Sequence, residues 1–475
     1  MLTALLAGCV SAPPLGQKPT PRPPEAYASA QSLAPAAQAP VWPAADWWQA
    51  YNDPQLTALI EEGLAGSPDL AVAVARLQQA QGYRLQAGAA LRPTLGGKIV
   101  AQQTYSRKFP GNVVPDGWDG VGAEALQLNF DLDLWGKNRA ALRAARRDDE
   151  AAGLDVAQAR LTLSTAIAST YADLARLYAE RDVDAQTLKV KLATQGLVGN
   201  RVLNGLDTRA EQKQADAAVP TARSALLALD EQIALTRHTL AALLGQGPDR
   251  GLTIARPQVH GTATGLPAGV TTDLIARRPD VAAALARVQA ADERIRVAHA
   301  NFYPQVSLTA LAAHPAVSWE DLVKGSTFLG GVGPSITLPI FQGGQLKGQY
   351  RTARGTYDEA VASYDKSVAN AFHEVADAVT SQTMLTQRLV EAHQALADSE
   401  AAYALARLRY EGGLSTYLNV LSAEETVLSA RLAYADLQSR AFTLDVALVR
   451  ALGGGLVSPV AAAAVPQNSK DSHHG

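Results

Sequence analysis

Between Glu124 and Arg139 the chain reads EALQLNFDLDLWGKNR, and Leu126, Leu128, Phe130, Leu132 and Leu134 alternate with Gln127, Asn129, Asp131 and Asp133. A period of two marks a strand with one apolar and one polar face, predicted here over Val121 to Leu134. After Trp135-Gly136-Lys137 the period changes at once to that of a helix. Ile167, Tyr171, Leu174 and Tyr178 fall at steps of four, three and four. The helix is predicted from Lys137 to about Leu203, a rod of roughly 100 Å at about 1.5 Å per residue. Asn204-Gly205 stops it, and a return helix from Asp207 to Leu244 ends at Gly245.

Upstream, Asp53-Pro54 combines a capping side chain with a proline in the first turn and so starts a helix. A second helix runs from Pro68 to about Ala90, where Arg92-Pro93 ends it. A strand from Thr94 to about Tyr105 and a turn-rich loop from Arg107 to Gly120 complete the approach to the alternating stretch.

The chain then repeats itself. Pro68-Asp69 is echoed by Pro279-Asp280 at an offset of 211, which also aligns Arg76 with Arg287, Gln78 with Gln289 and Pro93 with Pro304. Further on the offset is 208, aligning Gly205-Leu206 with Gly413-Leu414 and Leu244-Gly245 with Leu452-Gly453. A period this long is a duplicated half, not a solenoid unit. The second half is predicted to hold a helix from about Thr271 to Asn301, a strand over Gln305 to Ala313, a loop to Ser326 and a strand over Phe328 to Ile340. A long helix to about Tyr410 follows, then the turn Glu411-Gly412-Gly413 and a return helix over Ser415 to Leu452. Val361, Tyr364, Val368, Phe372, Val375 and Val379 give the long helix a coiled seam. The expected organisation is a leader remnant at 1–9, an extended Pro- and Ala-rich tether at 10–46, repeats at 47–269 and 270–454, and a disordered tail at 455–475.

Composition narrows what such a chain can be. It has 475 residues, a net charge of −3, two Met and one Cys. The mild charge points to no nucleic acid. No apolar run is long enough for a transmembrane helix, so a membrane span would have to be a closed β-barrel. Cys9, in Leu6-Ala7-Gly8-Cys9, resembles a lipobox, and a covalent lipid on Cys9 is expected; Val10 after it favours sorting to the outer membrane. Met1 to Ala7 lacks the basic residues of a signal peptide, which places the expected translation start upstream of Met1.

Four strands with a wet face cannot close a barrel by themselves; two copies would give eight and three would give twelve, and only the larger ring leaves an open lumen. Here the chain resembles the TolC-type outer membrane factors, in the OprM/NodT-like efflux lipoprotein subfamily. The marks are Trp47-Trp48, Asp53-Pro54, Pro68-Asp69, Asp133-Leu134-Trp135-Gly136, Arg278-Pro279-Asp280, Phe302-Tyr303-Pro304, Pro339-Ile340-Phe341-Gln342-Gly343-Gly344 and Tyr410-Glu411-Gly412-Gly413-Leu414. The resemblance implies an α+β membrane protein with a trimeric 12-strand β-barrel continued by a 12-helix α-barrel. It implies a homotrimer in the outer membrane with a long periplasmic portion, a periplasmic adaptor and an inner-membrane RND transporter, exporting drugs or other small molecules. Carried over residue by residue, a gate would involve Tyr410 and Glu211 with Asn419 and Ser422, where many relatives carry acids in place of the last two. Adaptor docking would fall on Gly205, Leu206, Gly413, Leu414, Ser415 and Thr416. Leu126, Leu128, Phe130, Leu132, Val332, Ile336 and Leu338 would face lipid, with Asp131 and Asp133 solvated on the opposite face.

Catalytic chemistry finds no footing. His373-Glu374-Val375-Ala376-Asp377 opens like a zincin helix but has Asp where the second ligand belongs. Gly330-Gly331-Val332-Gly333 lies in a strand with no phosphate-loop lysine. No enzyme, metal or cofactor is expected. Two alternatives stay open: a type I protein-secretion channel, and a lipid-anchored periplasmic scaffold without a pore.

Overall fold

A computed structural model describes residues 12–28, 31–32, 42–107, 117–258, 274, 277–316 and 328–456. Cys9, most of both strand-to-strand loops, the start of the helix expected from Thr271 and nearly all of the tail lie outside the described residues. In chain order the elements are a 3-10 turn Trp47–Tyr51, α1 Pro54–Gly66, α2 Pro68–Ala89, β1 Thr94–Ser106, β2 Gly117–Asp131, α3 Lys137–Leu203, α4 Arg209–Leu243 and α5 Asp249–Leu252. The second half supplies α6 Pro279–Ala300, β3 Gln305–Ala316, β4 Leu329–Thr337, α7 Gln345–Glu411 and α8 Tyr417–Ala451. The duplication is exact in length where it matters: α3 and α7 each have 67 residues, and α4 and α8 each have 35. Among the described residues no helix is long and apolar enough to cross a membrane.

The chain forms two compact units, and each draws on both halves of the duplication. One holds the strands. They make a single antiparallel sheet in the order β1-β2-β3-β4. Leu126 pairs with Gly97 and Ala312, Leu128 with Leu95 and Ala310, and Phe130 with Leu308, which in turn pairs with Pro334. Directly paired residues project to the same side. One face therefore collects Leu95, Ile99, Leu126, Leu128, Phe130, Val306, Leu308, Val332 and Ile336. The other collects Lys98, Gln102, Gln127, Asn129, Gln305, Thr309 and Ser335. Ile99 and Val332 on the apolar face are 74% and 76% exposed. Pro334 lies in β4, an outer strand of this four-stranded sheet, the position to which proline is largely confined within sheets.

The strands end sooner than the alternation does. β2 stops at Asp131, so Leu132 lies past the strand that was expected to carry it, although its N–H still donates to Val306 O at 3.0 Å. Asp133 is the cause. It takes a φ of +44°, and its carboxylate accepts from the backbone N–H groups of Asn138 at 2.8 Å and Arg139 at 3.0 Å. It is thus a buried cap on α3 and not a solvated strand residue. Asp131 is also engaged, accepting from Asn138 Nδ2 and Gln305 Nε2, each at 3.0 Å. Leu338 likewise follows the end of β4 at Thr337. Trp135 closes the junction: its ring stacks on Tyr303 at 4.8 Å and its Nε1 donates to Pro304 O at 2.7 Å.

The described amino-terminal residues of this unit have no regular secondary structure and are bonded to the helices beside them. Lys18 pairs with Asp292 and lies 4.2 Å from the Tyr357 ring centroid. Tyr357 donates to Pro19 O at 3.0 Å, and Arg354 donates to Gln17 O. The bonds from Tyr357 and Arg354 use main-chain carbonyls, which carry no sequence pattern.

The second unit holds a large apolar cluster. Trp47, Trp48 and Tyr51 are buried with Leu56, Ile167, Tyr171, Leu240 and Phe442. Asp53 caps α1, accepting from Gln55 N at 2.9 Å and Leu56 N at 3.1 Å, and also receives the Tyr171 hydroxyl at 2.8 Å. Arg278 explains its motif: buried, it donates to Asp280 at 2.7 Å, Glu374 at 2.6 Å and the carbonyl of Ala451 at the end of α8 at 3.1 Å.

Candidate gate at the helix-hairpin turns

Both hairpins turn by the same device. After α3, Leu206 N donates to Arg201 O at 2.9 Å and Gly205 N to Val202 O at 3.0 Å. After α7, Leu414 N donates to Arg409 O at 2.8 Å and Gly413 N to Tyr410 O at 3.0 Å. This is the Schellman pair of bonds, and it needs a left-handed residue. Gly205 has φ +72° and Gly413 φ +73°. Leu206 and Leu414 follow these glycines and are exposed, flanked by exposed Leu203 and Leu418. Sequence reasoning named the first two leucines and missed the second two, which no local pattern marks.

The turns are fastened to each other by a cluster of three polar side chains. The Tyr410 hydroxyl donates to the Asp207 carboxylate. Arg201 Nε donates to the same Asp207 oxygen at 3.0 Å, and Arg201 Nη1 donates to the Tyr410 carbonyl at 2.9 Å. The guanidinium also lies over the Tyr410 ring, 4.4 Å from its centroid. Val198, Ala215, Tyr417 and Val420 bury the phenol. Burial and then the bond to Asp207 push the Tyr410 hydroxyl well above the ordinary tyrosine range, so it stays a donor. The hydrogen bond to Asp207 raises Arg201 further. One buried carboxylate thus serves a phenol from the second hairpin and a guanidinium from the first.

The other residues expected at a gate make no bond to this cluster among the described residues. Glu211 is held in a capping box: Thr208 N donates to its Oε2 at 2.7 Å, and Glu211 N donates back to Thr208 Oγ1 at 3.4 Å. The acid that meets Tyr410 is Asp207, four residues earlier. Asn419 Nδ2 donates to Ser415 Oγ at 2.9 Å, and Ser422 is exposed on α8. Thr416 caps α8 with its backbone alone. A signal for the Asp207–Tyr410 pair was present in the repeat. At the offset of 208 Asp207 aligns with Ser415 and Val202 with Tyr410, so the two partners are the positions at which the copies diverge.

Among the described residues no group of three or more His, Cys, Asp or Glu side chains is placed to hold a metal ion. His373 pairs with Asp377 at 3.3 Å on an exposed helix face. The arrangement can hold two helix turns together or release them.

A family model described as Outer membrane efflux protein matches residues 59–246 and 270–454. Multidrug resistance outer membrane protein MdtP of Escherichia coli K12 is 31% identical over 428 residues, covering 87% of each chain. Fusaric acid resistance protein FusA of Burkholderia cepacia is 35% identical over 323 residues; that match takes in 66% of this chain and 60% of FusA. The crystal structure of outer membrane protein VceC of Vibrio cholerae is 43% identical with a TM-score of 0.82, covering 87% of this chain and all of VceC.

Proposed function

The chain belongs to the outer membrane efflux protein family, and from that premise we propose that it works as a gated homotrimeric duct in a tripartite efflux system. It is an outer membrane efflux channel of the TolC type. The finer reading rests on one observation, the sheet with an apolar face exposed on one side and a polar face on the other. Such a face is stable in lipid, and its unpaired edges β1 and β4 need partners. Three copies supply twelve strands and a lumen lined by Gln102, Gln127, Asn129 and Thr309.

Leu95, Leu126, Leu128, Phe130, Val332 and Ile336 face lipid in this reading, and a lipid on Cys9 adds an anchor. The exposed leucines beside Gly205 and Gly413 receive a periplasmic adaptor, and an RND-type transporter in the inner membrane supplies the cargo. Relatives named for multidrug resistance, fusaric acid resistance and pyoverdine export make small organic molecules the cargo class. The Asp207–Tyr410–Arg201 cluster is the gate: intact, it holds the turns together and the duct shut.

Single-channel recording of purified trimers in a planar bilayer tests the reading. Small, steady conductance steps that grow on substitution of Tyr410 are expected. Absence of any conductance, with the protein extractable without detergent once Cys9 is replaced, would mean that the strands do not span a membrane.

A further inference from the structure

Ten residues before Arg201 on α3, about 15 Å along the helix, lies an ion pair that the gate cluster does not use. Lys191 Nζ is 2.9 Å from Glu424 Oε1, and the two side chains are 11% and 4% exposed. Among the described residues neither Glu424 oxygen has a well-directed hydrogen bond, so the Lys191 ammonium is its counter-ion. A buried carboxylate with one partner and no bonds to its remaining lone pairs costs several kcal/mol, about as much as the pair returns, so stability is a poor reason for it.

Comparison of the two copies shows what was changed to make it. Glu424 aligns with Asp216 at the offset of 208. Asp216 is satisfied inside its own hairpin, by Gln195 at 2.9 Å and Lys213 at 3.2 Å, and these hold its carboxyl below the usual range. In the second copy the positions of Gln195 and Lys213 hold Tyr403 and Leu421. The acid is present in both copies, but here both local partners are gone, and it reaches across to α3 of the first hairpin. Burial and then the Glu424 charge raise the hydroxyls of Tyr403 and Tyr417 beside it, so both stay neutral and leave Lys191 as the compensating charge. Pro220 lies inside α4, four residues after Asp216. Proline has no N–H to give the carbonyl of Asp216, which makes this a natural bending point.

We propose that the Lys191–Glu424 pair is a second latch that sets where the hairpins part: it holds α3 to α8 above the turns, so that release of Asp207 from Tyr410 frees only the segment beyond it. This rests on the gate reading above. The latch limits the width of the released aperture, whereas the Asp207 cluster decides whether it is released at all.

The test uses full-length trimers in planar bilayers, with Asp207→Asn as the released background. Adding Glu424→Gln should raise the released conductance at least twofold over Asp207→Asn alone. Adding the exchange Lys191→Glu with Glu424→Lys should bring it back, because the pair is restored with reversed sign. A Glu424→Gln variant that adds nothing, or an exchange as wide as Glu424→Gln, overturns the latch. An Asp207→Asn trimer no more conductive than wild type overturns the gate reading itself, and the latch with it. Should Gln at 424 prevent trimer assembly, the exchange decides alone: trimers matching Asp207→Asn uphold the latch, and wider or absent trimers overturn it.

Discussion

The two hairpins were built to one plan and no longer do the same job. Their helices match residue for residue in length, and their turns use the same left-handed glycine with the same two bonds. The backbone was preserved and the side chains divided the labour. The first hairpin offers Asp207, Arg201 and Lys191. The second offers Tyr410 and Glu424. The contacts of Tyr410 with Asp207, of Arg201 with the Tyr410 carbonyl and of Lys191 with Glu424 run between hairpins, while Arg201 and Asp207 pair within the first. Duplication supplies two rigid elements of equal reach, and a few substitutions at facing positions are enough to couple them.

Removing the shared acid should break that coupling most severely. Asp207→Ala leaves the Arg201 guanidinium without its carboxylate, a loss of about 3–5 kcal/mol, and removes the acceptor of the Tyr410 hydroxyl, about 1.5–3 kcal/mol more. Trimers should still assemble, and closed-state conductance should rise by more than a hundredfold in open probability. Conductance no different from wild type would mean that Asp207 is a packing residue. Tyr410→Phe is milder. It deletes one hydrogen bond to a charged group, about 1.5–3 kcal/mol, or roughly tenfold to a hundredfold in the opening equilibrium, while Arg201 keeps Asp207 paired.

A smaller effect sharpens the difference between the turns themselves. Thr208→Ala removes one arm of a capping box and should lower the thermal stability of the first hairpin by about 1 kcal/mol. Thr416→Ala removes no side-chain cap bond and should be nearly silent. Equal losses in the two, measured by denaturant unfolding, would contradict the asymmetry. The smallest effect is that of alkaline pH. The Tyr410 hydroxyl is raised when folded, so its neutral form is favoured, its contribution is complete below the ordinary tyrosine value of about 10, and it is lost as pH climbs from there through the still higher folded value. Closed-state conductance should therefore be flat from neutrality to about pH 10, and a rise within that window would show that Tyr410 ionises unperturbed.

Much of the architecture was legible in the sequence because it is written in periods. Alternation at Leu126, Leu128 and Phe130, the three-and-four spacing at Val361, Tyr364 and Val368, and the glycines at 205, 245, 413 and 453 are local signals with local causes. They placed the strands, the long helices and the stops to within a few residues. The alternation overran at Leu132 because Asp133 had a second use. A cap is decided by where the next helix must begin, and that outweighs the strand pattern over its last three residues, Leu132 to Leu134.

What the chain alone determined is thus the secondary structure, the duplication and the existence of an apolar strand face in need of a partner. Periodicity and turn chemistry act between neighbours in sequence, and one chain holds all the information they need. Tertiary structure alone decided which side chains meet. Glu211 and Asp207 both stand in the same turn, and nothing in their spacing says which one faces Tyr410, 203 residues away. That depends on the rotation of one long helix against another, which is fixed by packing along the bundle. Glu211 is turned back to cap its own helix, and Asp207 is left to receive the phenol.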